Sequence, residues 1–287
     1  MKKHIIRIMQ TSISILSLTA IISISIWSGT ALSFAQDSHE GMNIAMPVVK
    51  APPFFVTGNM PEKDLVRYAQ GTIEWSRNLL YKDFFTKPLK KNITIYLFID
   101  DKSYREYAWK LFGDKPSTPF GYYSSEHNAL VMNIATGGGT LVHEMVHPLL
   151  KTDFPEVPTW LDEGLASLYE ACREQNGHIV GMINWRLPGL LDAIKKGGFI
   201  PLKKMMSTTS TEFYNNDVSG LHYAEARYFL FYMQESGVLR TFYKKFHNRF
   251  AEDRTGMKFV SEVLGQKSID AIEKGWKAWV LTLKPER

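Results

Sequence analysis

Leu141-Val142-His143-Glu144-Met145-Val146-His147 reads as a strip of helix in which two imidazoles stand one turn apart, with a carboxylate beside the first. Residues i and i+4 of a helix share a face, so His143 and His147 are spaced to bind one zinc ion. Glu144, turned off that line, is placed to reach a water on the metal. Leu141, Val142, Met145, Val146, Leu149 and Leu150 are apolar and would bury the rest of the helix. Two imidazoles and a carboxylate are costly to bury among such neighbours unless each has a partner, and a metal supplies one.

Just upstream, Gly137-Gly138-Gly139-Thr140 lacks the lysine that a phosphate loop needs after its glycines, so it reads as a turn swinging a strand into the helix. Pro148 follows His147 directly and predicts a bend or loosening without ending the helix. Downstream lies a second informative stretch, Pro158-Thr159-Trp160-Leu161-Asp162-Glu163-Gly164-Leu165-Ala166-Ser167-Leu168-Tyr169. Thr159 as N-cap with Asp162 three residues later reads as a capping-box variant, which gives Asp162 a structural task. Leu161, Leu165, Leu168 and Cys172 make the apolar stripe, and Glu163 shares a face with the small Ala166 and Ser167. Two histidines leave a zinc site one protein ligand short, and two His plus one Glu with a water is a known catalytic set. Glu163 is therefore the expected third ligand.

His143-Glu144-Met145-Val146-His147 followed by Trp160-Leu161-Asp162-Glu163-Gly164-Leu165-Ala166 resembles the gluzincin metallopeptidases, in particular the peptidase MA-like group, whose downstream motif reads W-L-x-E-G-x-A. The resemblance extends from the strand at Ile93, through Gly121-Tyr122, to the C-terminal helices. It implies an α+β fold, with a thermolysin-like catalytic core of a small mixed sheet plus the motif helix, followed by a mainly helical C-terminal lobe. It also implies a tyrosine near the metal at the start of a late helix, which makes Tyr223 the candidate oxyanion donor and His222 its substitute. One position departs from the thermolysin-like pattern: the Asp expected four residues after the ligand glutamate, holding a zinc histidine, is Ser167 here. Other zinc-peptidase arrangements fit less well. A metzincin-like continuation needs Gly and a third His where Leu150 and Asp153 stand, and an aspartate ligand at Asp153 or Asp162 lacks its surrounding motif.

Working outward, the first seven residues carry Lys2, Lys3 and Arg7, and no charged residue follows until Asp37. An apolar run diluted by Ser and Thr ends in Ser33-Phe34-Ala35-Gln36, the pattern of a secretory signal peptide cleaved after Ala35. The rival is an uncleaved membrane anchor within residues 8–35, since the uncharged run is long enough to span a bilayer. Either way the chain is expected to be exported: secreted, periplasmic or on the cell surface. Of 34 Lys and Arg, three lie in this leader, so 31 face 29 Asp and Glu in the remainder, near +2. That balance is no nucleic-acid signature. Cys172 is the single cysteine, so there is no internal disulfide, and it reads as a small buried residue rather than a nucleophile.

Residues 36–60 read as an extended leading segment, and 61–287 as the metallopeptidase-like domain, with a catalytic α+β lobe over 61–172 and a helical lobe over 173–287. Helical spacing runs from Leu65 to Leu79. Asn92 to Ile99 and Ala129 to Ile134 read as strands, with a helix from about Lys102 to Phe112 between them. Thr208 to Gly220 is a polar loop, with Phe213 and Tyr214 a candidate cleft rim. Lys244, Lys245, His247 and Arg249 read as a solvated helix face, and Trp276 and Trp279 as core anchors. His39, His127, His178 and His247 have no spacing that suggests ligation.

The chemistry expected from these residues is zinc-assisted hydrolysis of a peptide bond, with Zn2+ held by His143, His147 and Glu163 and with Glu144 as general base. The partner is then a peptide or protein substrate, aligned by β-addition along Leu130 to Ile134, and a membrane enters only through an uncleaved leader. Two alternatives are a non-catalytic peptide- or envelope-binding module that retains the fold, against which an intact Glu144 argues, and zinc hydrolysis of something other than protein.

Overall fold

β-branched and aromatic runs build a five-stranded sheet in the computed structural model, which describes residues 46–285 except Asn216. The leader and residues 36–45 lie outside the described residues. The strands are β1 (Val48–Ala51), β2 (Phe54–Gly58), β3 (Ile93–Phe98), β4 (Gly121–Ser124) and β5 (Ala129–Asn133), in the order β1-β2-β3-β5-β4. β2, β3 and β5 run parallel, and β1 and β4 pair antiparallel at the two edges. The sheet is small and mixed, in an α+β fold. Residues 46–60 are thus part of it and supply its first two strands.

Alternation along β3 divides the sheet's two faces. Ile93, Ile95 and Leu97, with Leu130 and Met132 of β5, join the main core. Phe98, with Ala129 and Val131, turns the other way against Tyr104 and Ala108 of α3 (Asp101–Phe112). Successive side chains of a strand point to opposite faces, so a run covered on both sides must be apolar throughout. β5 is buried along its whole length and hydrogen-bonded on both sides, to β3 and to β4. It therefore has no free edge for a peptide, which corrects the expected β-addition along Leu130 to Ile134. The open edge next to it belongs to β4.

The first helical stretch is α1 (Glu62–Tyr68) and α2 (Trp75–Asp83), joined by a π-helical segment over Ala69–Glu74. Then comes α4 (Gly138–Asp153), which runs on through Pro148. Its Leu141, Val142, Met145, Val146, Leu149 and Leu150 are all buried. At about 1.5–3 kcal/mol per buried aliphatic side chain, this face offsets the cost of sealing charged groups on the same helix. α5 (Thr159–Leu168) follows, and its end corrects the expected stripe: the helix stops before Cys172, which instead opens β6 (Cys172–Gln175), paired with β7 (His178–Gly181). Burial pushes the Cys172 thiol up to about 12, as befits an unreactive residue.

The remainder is helical: α6 (Leu187–Lys196), α7 (Leu202–Met206), α8 (Ser210–Phe213), α9 (Ser219–Glu235), α10 (Leu239–Asn248), α11 (Met257–Leu264) and α12 (Ile269–Val280). α9 lies against α5, and a Cβ at Gly164 would stand 3.0–3.2 Å from Leu230 and Ala226. Glycine spares the contact this crowding, so the two helices pack without either giving way. One core continues from Phe54 of the sheet through Leu149, Trp160 and Phe229 to Trp276 of α12. None of the described helices is long and apolar enough to cross a membrane.

Candidate metal centre

Helical spacing does to His143 and His147 what the sequence requires of them, setting their rings 5.0 Å apart between centroids on one face of α4. α5 returns alongside α4 and brings Glu163 to that face. Its Oε2 lies 3.5 Å from His143 Nε2 and 3.8 Å from His147 Nε2. Both histidines are 8% exposed and Glu163 is 4% exposed, and one ligand atom from each falls within 4.8 Å of the others. Around a tetrahedral ion with bonds of about 2.0–2.1 Å, donor atoms stand about 3.4 Å apart. The two distances from Glu163 Oε2 to the imidazoles, 3.5 and 3.8 Å, are close to that value.

The outer nitrogens of the two rings are also held. His147 Nδ1 is 2.7 Å from Asp162 Oδ1, whose other oxygen is 3.2 Å from Lys151 Nζ. His143 Nδ1 is 3.2 Å from Glu170 Oε1, off the line of a good hydrogen bond and so a looser hold. Glu170 is itself fixed, because Arg186 donates to its two oxygens at 2.9 and 2.7 Å and Asn184 Nδ2 at 3.1 Å. A carboxylate on Nδ1 selects the tautomer that leaves the Nε2 lone pair facing the common point. Gly139 makes the Glu170 contact possible. It shares a face with His143, and a Cβ there would lie 1.9 Å from the Glu170 carbonyl oxygen.

The expected capping box at the start of α5 is not formed. Pro158 is the N-cap and no side chain caps the helix. Thr159 Oγ1 pairs with Ser210 Oγ at 2.6 Å, and Asp162 turns to His147. A charged contact with a buried imidazole outweighs a side-chain cap on the first turn. The residue taking the place that Ser167 leaves open is Glu170, beyond the end of α5.

Burial drives both histidines towards the neutral form, yet the surrounding carboxylates outweigh it: Glu163 and Glu170 raise the pKa of His143, and Asp162 and Glu163 raise that of His147. Burial would likewise raise Glu163, but the imidazoles of His147 and His143 pull it down to about 2. Glu170 falls to about 2 through His143 and Arg186, again against burial. Carboxylates and imidazoles thus favour one another's charged forms, and a divalent cation held here would take the place of the imidazole protons.

Glu163 Oε1 accepts a hydrogen bond from Tyr214 at 2.5 Å, while Oε2 is buried without one. An unsatisfied buried carboxylate oxygen aimed at two imidazole nitrogens fits a metal ion, and the nitrogen and oxygen donor set suits zinc. Glu144, half-buried, lies close enough for its charge to act on His143 and Tyr223. Tyr223 has its ring 6.4 Å from that of His143. Burial, then the charges of Glu163 and Glu144, hold its phenol above the usual value, so it remains a proton donor. His222 is placed differently: its Nδ1 pairs with the Phe213 carbonyl at 3.1 Å and its ring stacks on Phe213.

Asp153, a conceivable aspartate ligand, is instead tied to Thr86, Lys87 and Tyr243. His178 pairs with Asp83, and His247 Nε2 with the Asp153 carbonyl. Sequence reasoning missed Glu170, Arg186 and the true partner of Asp162, and gave Tyr214 as a candidate cleft rim without its contact to Glu163. One signal was present for Glu170, which stands seven residues after Glu163 and so follows the same side of the helical path. Neither the models of known protein families nor the curated protein sequences give a match to this chain.

Proposed function

We propose that the chain is a zinc-dependent peptidase, built on a thermolysin-like core and working outside the cytoplasm. The observation that carries this reading is the bare Oε2 of Glu163 facing the Nε2 atoms of His143 and His147, with Glu144 beside them. His143, His147 and Glu163 would hold the ion. Zinc supplies a Lewis acid that polarises a carbonyl and brings the pKa of a water towards neutrality.

The rest of the chemistry belongs to the chain's own groups. Glu144 accepts a proton from the attacking water and returns it to the departing amine nitrogen. Tyr223, kept protonated by burial and by its carboxylate neighbours, donates a hydrogen bond to the oxygen on which charge develops. The open edge of β4, the strand beside β5, offers backbone groups to an extended peptide. The basic and apolar leader, with Ala35 at its exit, supports export or anchoring.

The test is turnover of a diverse peptide library by the zinc-loaded protein, beside Glu144→Gln. The variant is expected to keep one zinc per chain and to lose about 10²–10⁴-fold in kcat. Undiminished turnover by Glu144→Gln would remove Glu144 from its role, and no turnover by the zinc-loaded wild type would favour a binding module.

A further inference from the structure

The two oxygens of Glu163 have different surroundings. Oε2 is bare and faces the imidazoles, whereas Oε1 accepts the Tyr214 hydroxyl. Tyr214 is 45% exposed, so its ring contributes little to the core and its hydroxyl is the part that reaches inward.

The segment that delivers this hydroxyl is fixed from several sides. α8 begins with a capping box in which Thr209 N donates to Glu212 Oε2 at 2.8 Å and Glu212 N to Thr209 Oγ1 at 3.3 Å. Ser210 Oγ pairs with Thr159 Oγ1, one turn before Glu163 on the same side of α5. Phe213 is buried, stacks on His222 with centroids 5.0 Å apart, and meets Tyr223 edge-on at 5.3 Å. His222 also holds the Phe213 carbonyl. These contacts set the backbone immediately before Tyr214, which a residue serving only as surface cover would not need.

We infer that Tyr214 is a positioning residue for the metal: its hydroxyl occupies Oε1 of Glu163, so that Glu163 presents Oε2 alone, as a one-oxygen ligand. This rests on the reading of His143, His147 and Glu163 as a metal site. A carboxylate with one oxygen engaged is held against swinging to offer both to the ion, and a ligand already oriented loses less freedom on binding. His222 acts one step further out, by holding Phe213.

The experiment uses the purified chain and its Tyr214→Phe variant. Zinc affinity is read by competition with a chromophoric chelator, and the visible spectrum is recorded after loading with cobalt(II). Tyr214→Phe is expected to bind zinc about 10–100-fold more weakly, and to show weaker cobalt bands as the freed carboxylate raises the coordination number. Its metal-free melting temperature should fall, because Oε1 of the buried Glu163 loses its hydrogen bond, so zinc affinity is compared at a temperature where both proteins are folded. Unchanged zinc affinity and an unchanged cobalt spectrum in a variant that binds one zinc would overturn the role of Tyr214 and leave the metal site standing. Failure of the wild type itself to take up zinc or cobalt would overturn the site, and Tyr214's role with it.

Discussion

Asp153 at the end of α4 and Glu163 in α5 are both carboxylates sealed inside the protein, and their surroundings differ in one respect. Asp153, fully buried, accepts at Oδ1 from Thr86 N, Thr86 Oγ1 and Lys87 N at 2.8, 2.9 and 3.0 Å, and at Oδ2 from Tyr243 at 2.7 Å. Both its oxygens are satisfied by the chain. Glu163 has one oxygen satisfied by Tyr214 and one that has no hydrogen bond and faces the Nε2 atoms of His143 and His147 at 3.5 and 3.8 Å. A buried charge must be neutralised or hydrogen-bonded. Where the protein does this itself the carboxylate is structural, and where it leaves one oxygen open beside two imidazoles the group could hold an ion.

The strongest way to break this contrast is Glu163→Ala. Zinc affinity should fall by more than about a thousandfold, beyond the range for loss of an orienting partner, as read by metal content after dialysis and by chelator competition. Wild-type zinc content in that variant would end the assignment of Glu163 as a ligand. Asp153→Ala should do the reverse. Stripping four donors of their acceptor is expected to cost about 3 kcal/mol in denaturant unfolding, with one zinc still bound by the folded protein. If it lost zinc while remaining folded, the two carboxylates would not be separable in this way.

Asp162→Ala sharpens the picture on the metal side. It removes the hold on His147 Nδ1 and should weaken zinc binding by about 10–100-fold, less than loss of a ligand. An effect as large as that of Glu163→Ala would make Asp162 itself the ligand.

The smallest expected effect is in acid. The hydrogen bonds of Thr86, Tyr243 and Lys87 overcome burial and hold the Asp153 carboxyl below its ordinary value. The unfolded chain therefore binds a proton at higher pH than the folded one does. The stabilisation is complete above about pH 3.9, the unfolded value, and is lost as pH falls through the lower folded one. The stability gap between wild type and Asp153→Asn should shrink between pH 6 and pH 3, and a gap that widened there would contradict the sign.

His143, Glu144 and His147 were legible because α-helical geometry converts a four-residue interval into a shared face, whatever the rest of the chain does. Glu163 was legible from its motif and from the small residues beside it. Asp162, one position earlier, was misassigned because the same sequence satisfies a helix cap and an imidazole partner equally well, and only the approach of α4 decides between them. β5 carried a signal that was read the wrong way: five residues with no charged member suit a strand covered on both faces, not an exposed edge. Tyr214 reaches Glu163 across a separation of 51 residues, which no periodicity reports.

By itself the sequence determined the central strands at Ile93 and Ala129 and the helices that carry His143 and Glu163, since strand alternation and helical spacing follow from backbone geometry within a few residues, but not the strands Val48–Ala51, Phe54–Gly58 and Cys172–Gln175 or the short helix Ser210–Phe213. It also determined which groups were candidates for a metal. Only the tertiary structure decided which carboxylate meets which nitrogen: Asp162 on His147, Glu170 on His143, Tyr214 on one oxygen of Glu163. The reason is physical. Such pairings are settled by how α4, α5, the chain after it and the segment around α8 pack together, and the sign of each depends on distances of a few ångströms between residues far apart in the chain.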